Sequence, residues 1–173
     1  EEKINKVTLT IDRVSPTTTS SLNSGFYNSS QSISFSSNES GPVLFTLDGT
    51  IPDSSSSVFT SPIIINQTTT INYFSQDEAG NNEAFNTLSI VIDTQSPTTT
   101  SSLNSGRFAT NQTLELSVDE ISDIFISLDG SLPTTSSSKY ESPILIDRTM
   151  TVNYFSVDRA SNLEAMNTLE IIV

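Results

Sequence analysis

The chain has 173 residues, 20 acidic against 7 basic, and contains no Cys, His or Trp. A net charge of −13 disfavours nucleic acid and anionic membrane surfaces, both of which are held by clustered Lys and Arg. Without His or Cys there is no zinc site of the usual kind, no thiol chemistry and no Ser–His pair, and no apolar run is long enough to span a bilayer. With 32 Ser, 23 Thr and 14 Asn, the composition points to a solvated, extracellular or cell-surface protein.

In chain order, the first element is an amphipathic strand. Val7, Leu9 and Ile11 face one way, and Thr8 and Thr10 the other. A loop with Ser15-Pro16 follows, and then Ile33 and Phe35 alternate with Ser32, Ser34 and Ser36. Phe45 and Leu47 lead into Asp48-Gly49, a turn pair suited to positive φ. Next come Val58-Phe59, the apolar Ile63-Ile64-Ile65, the run Thr70-Ile71-Asn72-Tyr73-Phe74, and Leu88, Ile90 and Ile92.

The pattern then repeats at a constant offset of 81 residues. The run from Ser15 to Gly25 returns unchanged from Ser96 to Gly106. Leu47-Asp48-Gly49 returns as Leu128-Asp129-Gly130, and Asn72-Tyr73-Phe74-Ser75 as Asn153-Tyr154-Phe155-Ser156. A unit of this length is too long for a solenoid repeat and suits a small β-sandwich. The fold class expected is therefore all-β: two tandem immunoglobulin-like antiparallel β-sandwiches, residues 14–93 and 94–173, with an extra N-terminal strand in residues 1–13. No helical stretch is expected. The short junction from Asp93 to Pro97 leads us to expect sandwiches placed end to end.

The run from Phe45 to Pro52, with Ser61-Pro62-Ile63 and Asp77-Glu78-Ala79-Gly80-Asn81, resembles the repeat named after the chitobiase/β-hexosaminidase C-terminal domain. Ile126 to Thr134, Ser142-Pro143-Ile144 and Asp158-Arg159-Ala160-Ser161-Asn162 carry the same likeness in the second copy, with Ser161 in place of Gly80. The resemblance implies an immunoglobulin-like ancillary module of secreted microbial proteins with no catalytic residues of its own.

The chain holds two domain bodies but three copies of the body's last strand. Residues 5–11 align with 86–92 and again with 167–173. An amphipathic strand needs a partner. Three readings stay open: it is the end of an upstream repeat or an edge strand on domain one; it is donated to a neighbouring subunit, giving an open head-to-tail filament; or it is a disordered arm. Under the second reading the partners are other copies of the chain, and Val7, Leu9 and Ile11 are the anchoring residues.

The other candidates are weaker. Asp48, Asp53, Asp77, Asp129 and Asp158 could be paired for glycosidase chemistry, but Asp48 and Asp129 sit in Asp-Gly turns, and Thr134 replaces Asp53 in the second copy. Calcium is the one cofactor the loops suggest, through Asp77 with Glu78, or Asp119 with Glu120 and Asp123. Sequons place glycosylation candidates at Asn28, Asn38, Asn66 and Asn111. A sugar-binding role needs exposed aromatic faces. The four Tyr residues are Tyr27, Tyr73, Tyr140 and Tyr154, and one of each Tyr–Phe pair in the Asn-Tyr-Phe-Ser runs is expected in the core. The function expected is a non-catalytic structural subunit of an extracellular filament or surface layer. The alternative is an ancillary carbohydrate-binding or spacer module of a secreted glycan-active protein.

Overall fold

A computed structural model describes residues 9–173. They form two compact units, the first made mainly of residues up to Ile92 and the second running from Asp93 to the end. All regular structure in both is β-strand.

The first unit contains β1 (Thr18–Ser20), β2 (Gly25–Tyr27), β3 (Gln31–Ile33), β4 (Phe35–Ser37), β5 (Val43–Thr46), β6 (Ser57–Val58), β7 (Ile63–Ile65), β8 (Thr69–Ser75) and β9 (Asn86–Ile92). The main sheet has the order β2-β9-β8-β5-β6, and the opposite layer is made of the pairs β1-β4 and β3-β7. The second unit repeats this arrangement with β10 (Thr99–Ser101), β11 (Gly106–Arg107), β12 (Gln112–Leu114), β13 (Leu116–Val118), β14 (Ser122–Ser127), β15 (Ile144–Ile146), β16 (Met150–Asp158) and β17 (Asn167–Ile172). Its main sheet is β11-β17-β16-β14, with pairs β10-β13 and β12-β15.

The alternation read as one strand around Ile33 and Phe35 is split in two, because β3 pairs with β7 while β4 pairs with β1. The break falls at Ser34. There the hydroxyl of Ser21 accepts the Ser34 amide at 2.9 Å, and the Ser34 carbonyl accepts the Ser21 amide. Glu115 and Ser102 do the same in the second unit. A side-chain acceptor that takes a ladder amide lets a strand change partners without burying an unpaired group. Ile33 and Phe35 both stay buried across the switch.

Each core is a stack of β-branched and leucine side chains from both layers. In the second unit Leu114, Ile146, Val152 and Ile171 sit at its centre, with Tyr140 partly buried against them. In the first, Phe35 packs edge-on against Phe59 at 5.3 Å and beside Tyr73 at 4.4 Å. One Tyr–Phe member per run was expected in the core, but Tyr73, Phe74, Tyr154 and Phe155 are all buried. Both faces of β8 and β16 are covered, so neither Tyr offers an exposed ring.

Two polar devices recur. The amide of Asn72 donates to the carbonyls of Gly49 and Thr50 at 2.8 and 3.0 Å, while its oxygen accepts from Thr87 at 2.7 Å. Asn153 does the same to Gly130, Ser131 and Thr168. These bonds hold the Asp-Gly turns against the sheet, with Gly49 and Gly130 at φ of 77° and 82° as the turn chemistry requires. The second device is a half-buried carboxylate. Glu83 accepts from the amides of Thr18 and Ser75, and Glu164 from the amides of Thr99 and Ser156. It ties β1 or β10 to the main sheet.

Candidate functional site

Two features stand out from this repeated scaffold: a segment whose apolar face is uncovered, and a trio of carboxylates present in each unit. Position 9 of the first strand copy corresponds to positions 90 and 171 in the others. Ile90 and Ile171 are 0% exposed, whereas Leu9 is 83% exposed; Ile11, 69% exposed, matches the half-buried Ile92 and the exposed Val173. Residues 9–11 belong to no strand, so the face that closes each core has no cover in this stretch. Val7 lies outside the described residues.

The carboxylate trios are Asp12, Glu39 and Asp77 in the first unit, and Asp93, Glu120 and Asp158 in the second. Within each trio one oxygen from every residue lies within 4.8 Å of the others. Asp77 and Asp158 are the buried members, at 6% and 8% exposure. Their carboxylates are fixed by the next turn. Asn81 donates its backbone amide to one Asp77 oxygen at 2.8 Å and its side-chain amide to the other at 2.7 Å. Asn162 holds Asp158 in the same way, at 2.7 Å for both bonds. The same Asn side chains also donate to the carbonyl of the residue that follows the closing strand, Asp12 at 3.4 Å and Asp93 at 2.9 Å.

Hydrogen bonding from Asn81 holds the Asp77 carboxyl below the ordinary carboxylate range. Glu120 is pushed the other way, by burial first and then by the charges of Asp93, Asp158 and Asp119. Three hard oxygen donors at this separation suit a cation such as calcium by chemistry, and in its absence they repel.

Of the calcium candidates read from sequence, Asp77 belongs to a trio. Asp119 instead accepts the Thr98 amide at 2.8 Å, a role Asn38 fills for Thr17 at 2.6 Å in the first unit. Asp123 pairs with Lys139 at 2.7 Å. The sequence reading looked for acids close together in the chain. It therefore missed Asp12 and Glu39 in the first trio and Asp93 in the second, set Glu120 with Asp119 and Asp123 instead, and weighed Asp158 only for catalysis. The signal was the offset itself, since each member of the first trio has an identical acid 81 residues on.

The remaining candidates have structural partners or open settings. Asp48 accepts from the amide and hydroxyl of Thr50 at 3.0 and 2.6 Å, and Asp129 from Ser127 and Ser131. Asp53 accepts from the amide and hydroxyl of Ser55. Asn28, Asn38, Asn66 and Asn111 are all exposed, although the Asn38 side chain is engaged with Thr17.

The description of the chitobiase/β-hexosaminidase C-terminal domain family matches residues 22–87 and again residues 103–168. No curated protein sequence matches the chain. Among solved structures, the chain is similar to the fibronectin(III)-like modules of Clostridium thermocellum CbhA, with a TM-score of 0.49 and 13% identity over 91% of this chain and 94% of that one. It is also similar to the D00-D0 domain of intimin, with a TM-score of 0.43 and 12% identity over 91% of this chain and 100% of that one. The two tandem matches span most of the sequence, and the chain belongs to the chitobiase/β-hexosaminidase C-terminal domain family, which it contains twice.

Proposed function

We propose that this chain is a non-catalytic structural segment of an extracellular microbial filament or surface layer, joined head to tail to domains of its own kind through residues 5–11. The observation that carries the reading is the contrast between Leu9, 83% exposed, and its counterparts Ile90 and Ile171, 0% exposed. The same position is enclosed in two copies and exposed in the first. Strand addition supplies both backbone hydrogen bonds and a row of alternate side chains, so it couples domains with defined register. The Ser/Thr/Asn-rich acidic surface and the family membership support a location outside the cell.

The test is assembly length. Replacing Leu9 and Ile11 together with Asp should leave both units folded by circular dichroism and shorten the assemblies seen by negative-stain microscopy to single chains. Unchanged length would sink the coupling role.

A second reading, an ancillary spacer or carbohydrate-binding module, is favoured by the family's name and by one repeated feature. Beside each Asp-Gly turn lies an open groove, Phe45 to Asp48 with Ser55–Ser57 in one unit and Ile126 to Asp129 with Ser136–Ser138 in the other. Retention on insoluble chitin that survives deletion of residues 1–13 would favour this reading over the first.

A further inference from the structure

The two units share a fold but differ along one flank. In the first unit β6 ends the main sheet, and in the opposite layer β7 pairs with β3 alone among the described strands. Only residues 59–62 separate β6 from β7, so the two edges lie on the same side of the sandwich. An edge strand presents unpaired backbone N–H and C=O groups, and proteins commonly guard it with charged side chains. The first unit has no such guard on this flank. Residues 54–68 contain no Asp, Glu, Lys or Arg, and Val58 and Ile64 within them are 50% and 64% exposed.

The second unit shows that the fold does not require this. Its residues 135–149 hold Lys139, Glu141, Asp147 and Arg148. Lys139 stands at the position of Val58, and its ammonium pairs with Asp123 of β14 at 2.7 Å. The counterpart of β6 is reduced there to a single bridge between Phe125 and Lys139.

Charge restricts what can cover the unguarded flank. Residues 14–92 contain Glu39, Asp48, Asp53, Asp77, Glu78 and Glu83, and no Lys or Arg. A basic partner is drawn to those acids, away from an uncharged side. Two copies of the first unit repel wherever their acids meet, and close up only across a side that has none. An antiparallel edge is also self-complementary. A two-fold axis at Val58 sets Ser57 of one copy opposite Phe59 of the other, and Ser56 opposite Thr60. The two Asp53 carboxylates then lie at opposite ends of the contact.

We infer that a second copy of this chain docks on the first unit's flank, β6 against β6, with Val58 at the axis and Ile64 at the rim. This lateral contact goes beyond the end-to-end coupling proposed above and does not depend on it. It is therefore measured in the full chain carrying Leu9→Asp and Ile11→Asp, which removes that coupling.

Sedimentation equilibrium of this chain should show monomer and dimer, with the dimer tightening as NaCl rises from about 20 to about 500 mM, because salt screens the acids. Val58→Lys copies the residue of the second unit, so the fold accommodates it. It sets two ammonium groups face to face at the axis and should raise the dimer Kd by about 10-fold or more. Leu145→Lys, at the position of Ile64 in the second unit, should leave the Kd unchanged. Amide exchange at Val58 should slow with rising protein concentration, and should stop doing so in Val58→Lys. A chain that stays monomeric up to about 1 mM at high salt overturns the inference. So does a dimer that Val58→Lys leaves as tight as before. Retention on insoluble chitin that Val58→Lys abolishes would give the flank to a glycan and overturn the inference as well.

Discussion

Glu164 accepts both the amide and the hydroxyl of Ser156, at 2.9 and 2.7 Å, and thereby holds a fully buried serine in the main sheet. The same carboxylate takes the amide and hydroxyl of Thr99, each at 2.7 Å. One side chain thus fastens the first strand of the second unit to its main sheet, and Glu83 repeats the arrangement with Thr18 and Ser75. Replacing Glu164 with Ala strands buried donors and should cost about 2–4 kcal/mol. Urea titration of the variant measures it.

The same carboxylates set an acid limit. Burial opposes their charge, but bonds from Ser156, Thr99 and Asn167 to Glu164, and from Thr18, Asn86 and Ser75 to Glu83, outweigh it and hold both below the ordinary value of 4.5. A depressed acid contributes stability that is complete above its unfolded value and lost as pH falls through the folded one. Thermal melts should therefore fall in midpoint only below pH 4.5, and less steeply for Glu164→Gln, which has no charge to lose.

Glu120 predicts the opposite sign. Its carboxyl is raised by burial and by Asp93, Asp158 and Asp119, so its ionised form weakens the fold. That penalty is absent below its ordinary value of 4.5 and complete above the raised one. Glu120→Gln should raise the melting midpoint at neutral pH and leave it unchanged in acid. In millimolar calcium a cation bound by the trio would reverse the neutral-pH sign, so paired melts separate a repulsive cluster from a metal site.

Ser161 holds a left-handed backbone, φ 69°, where the first unit has Gly80 at φ 90°. The left-handed region costs a side chain about 1–2 kcal/mol, part of which glycine's own chain entropy returns. Ser161→Gly should stabilise the second unit by roughly 0.5–1 kcal/mol. A calorimetric scan should place the gain in that unit alone.

Burial also separates the three strand copies. Ile171→Ala should destabilise its unit by about 2–5 kcal/mol. Leu9→Ala in the isolated chain should change stability by less than about 0.5 kcal/mol. Equilibrium unfolding of the two variants side by side checks the difference.

Much of this was legible in the residues. Period two around Ile33, Leu88 and Ile90, the Asp-Gly turns and the constant offset give the sandwich fold and its duplication, because alternation and turn chemistry are local. The partner switch at Ser34 was not legible. It depends on the hydroxyl of Ser21, thirteen residues away, and a serine reads the same whether it faces water or caps a backbone amide. Asn72 and Glu83 look like surface residues for the same reason, and only their recurrence as Asn153 and Glu164 marks them out. The carboxylate trio was hidden by distance along the chain, since Asp12 and Asp77 meet only after the sandwich forms. The surplus strand needed no structure to be seen, but its setting did: sequence shows that Leu9 matches Ile90, and only the fold shows that one is bare and the other enclosed.

The central proposal, that the first strand copy couples this chain to a neighbouring domain, is tested most directly by amide exchange at Leu9 in the assembled protein. The account predicts protection approaching that of Ile90 and Ile171. Exchange at Leu9 as fast in the assembly as in the isolated chain would contradict it.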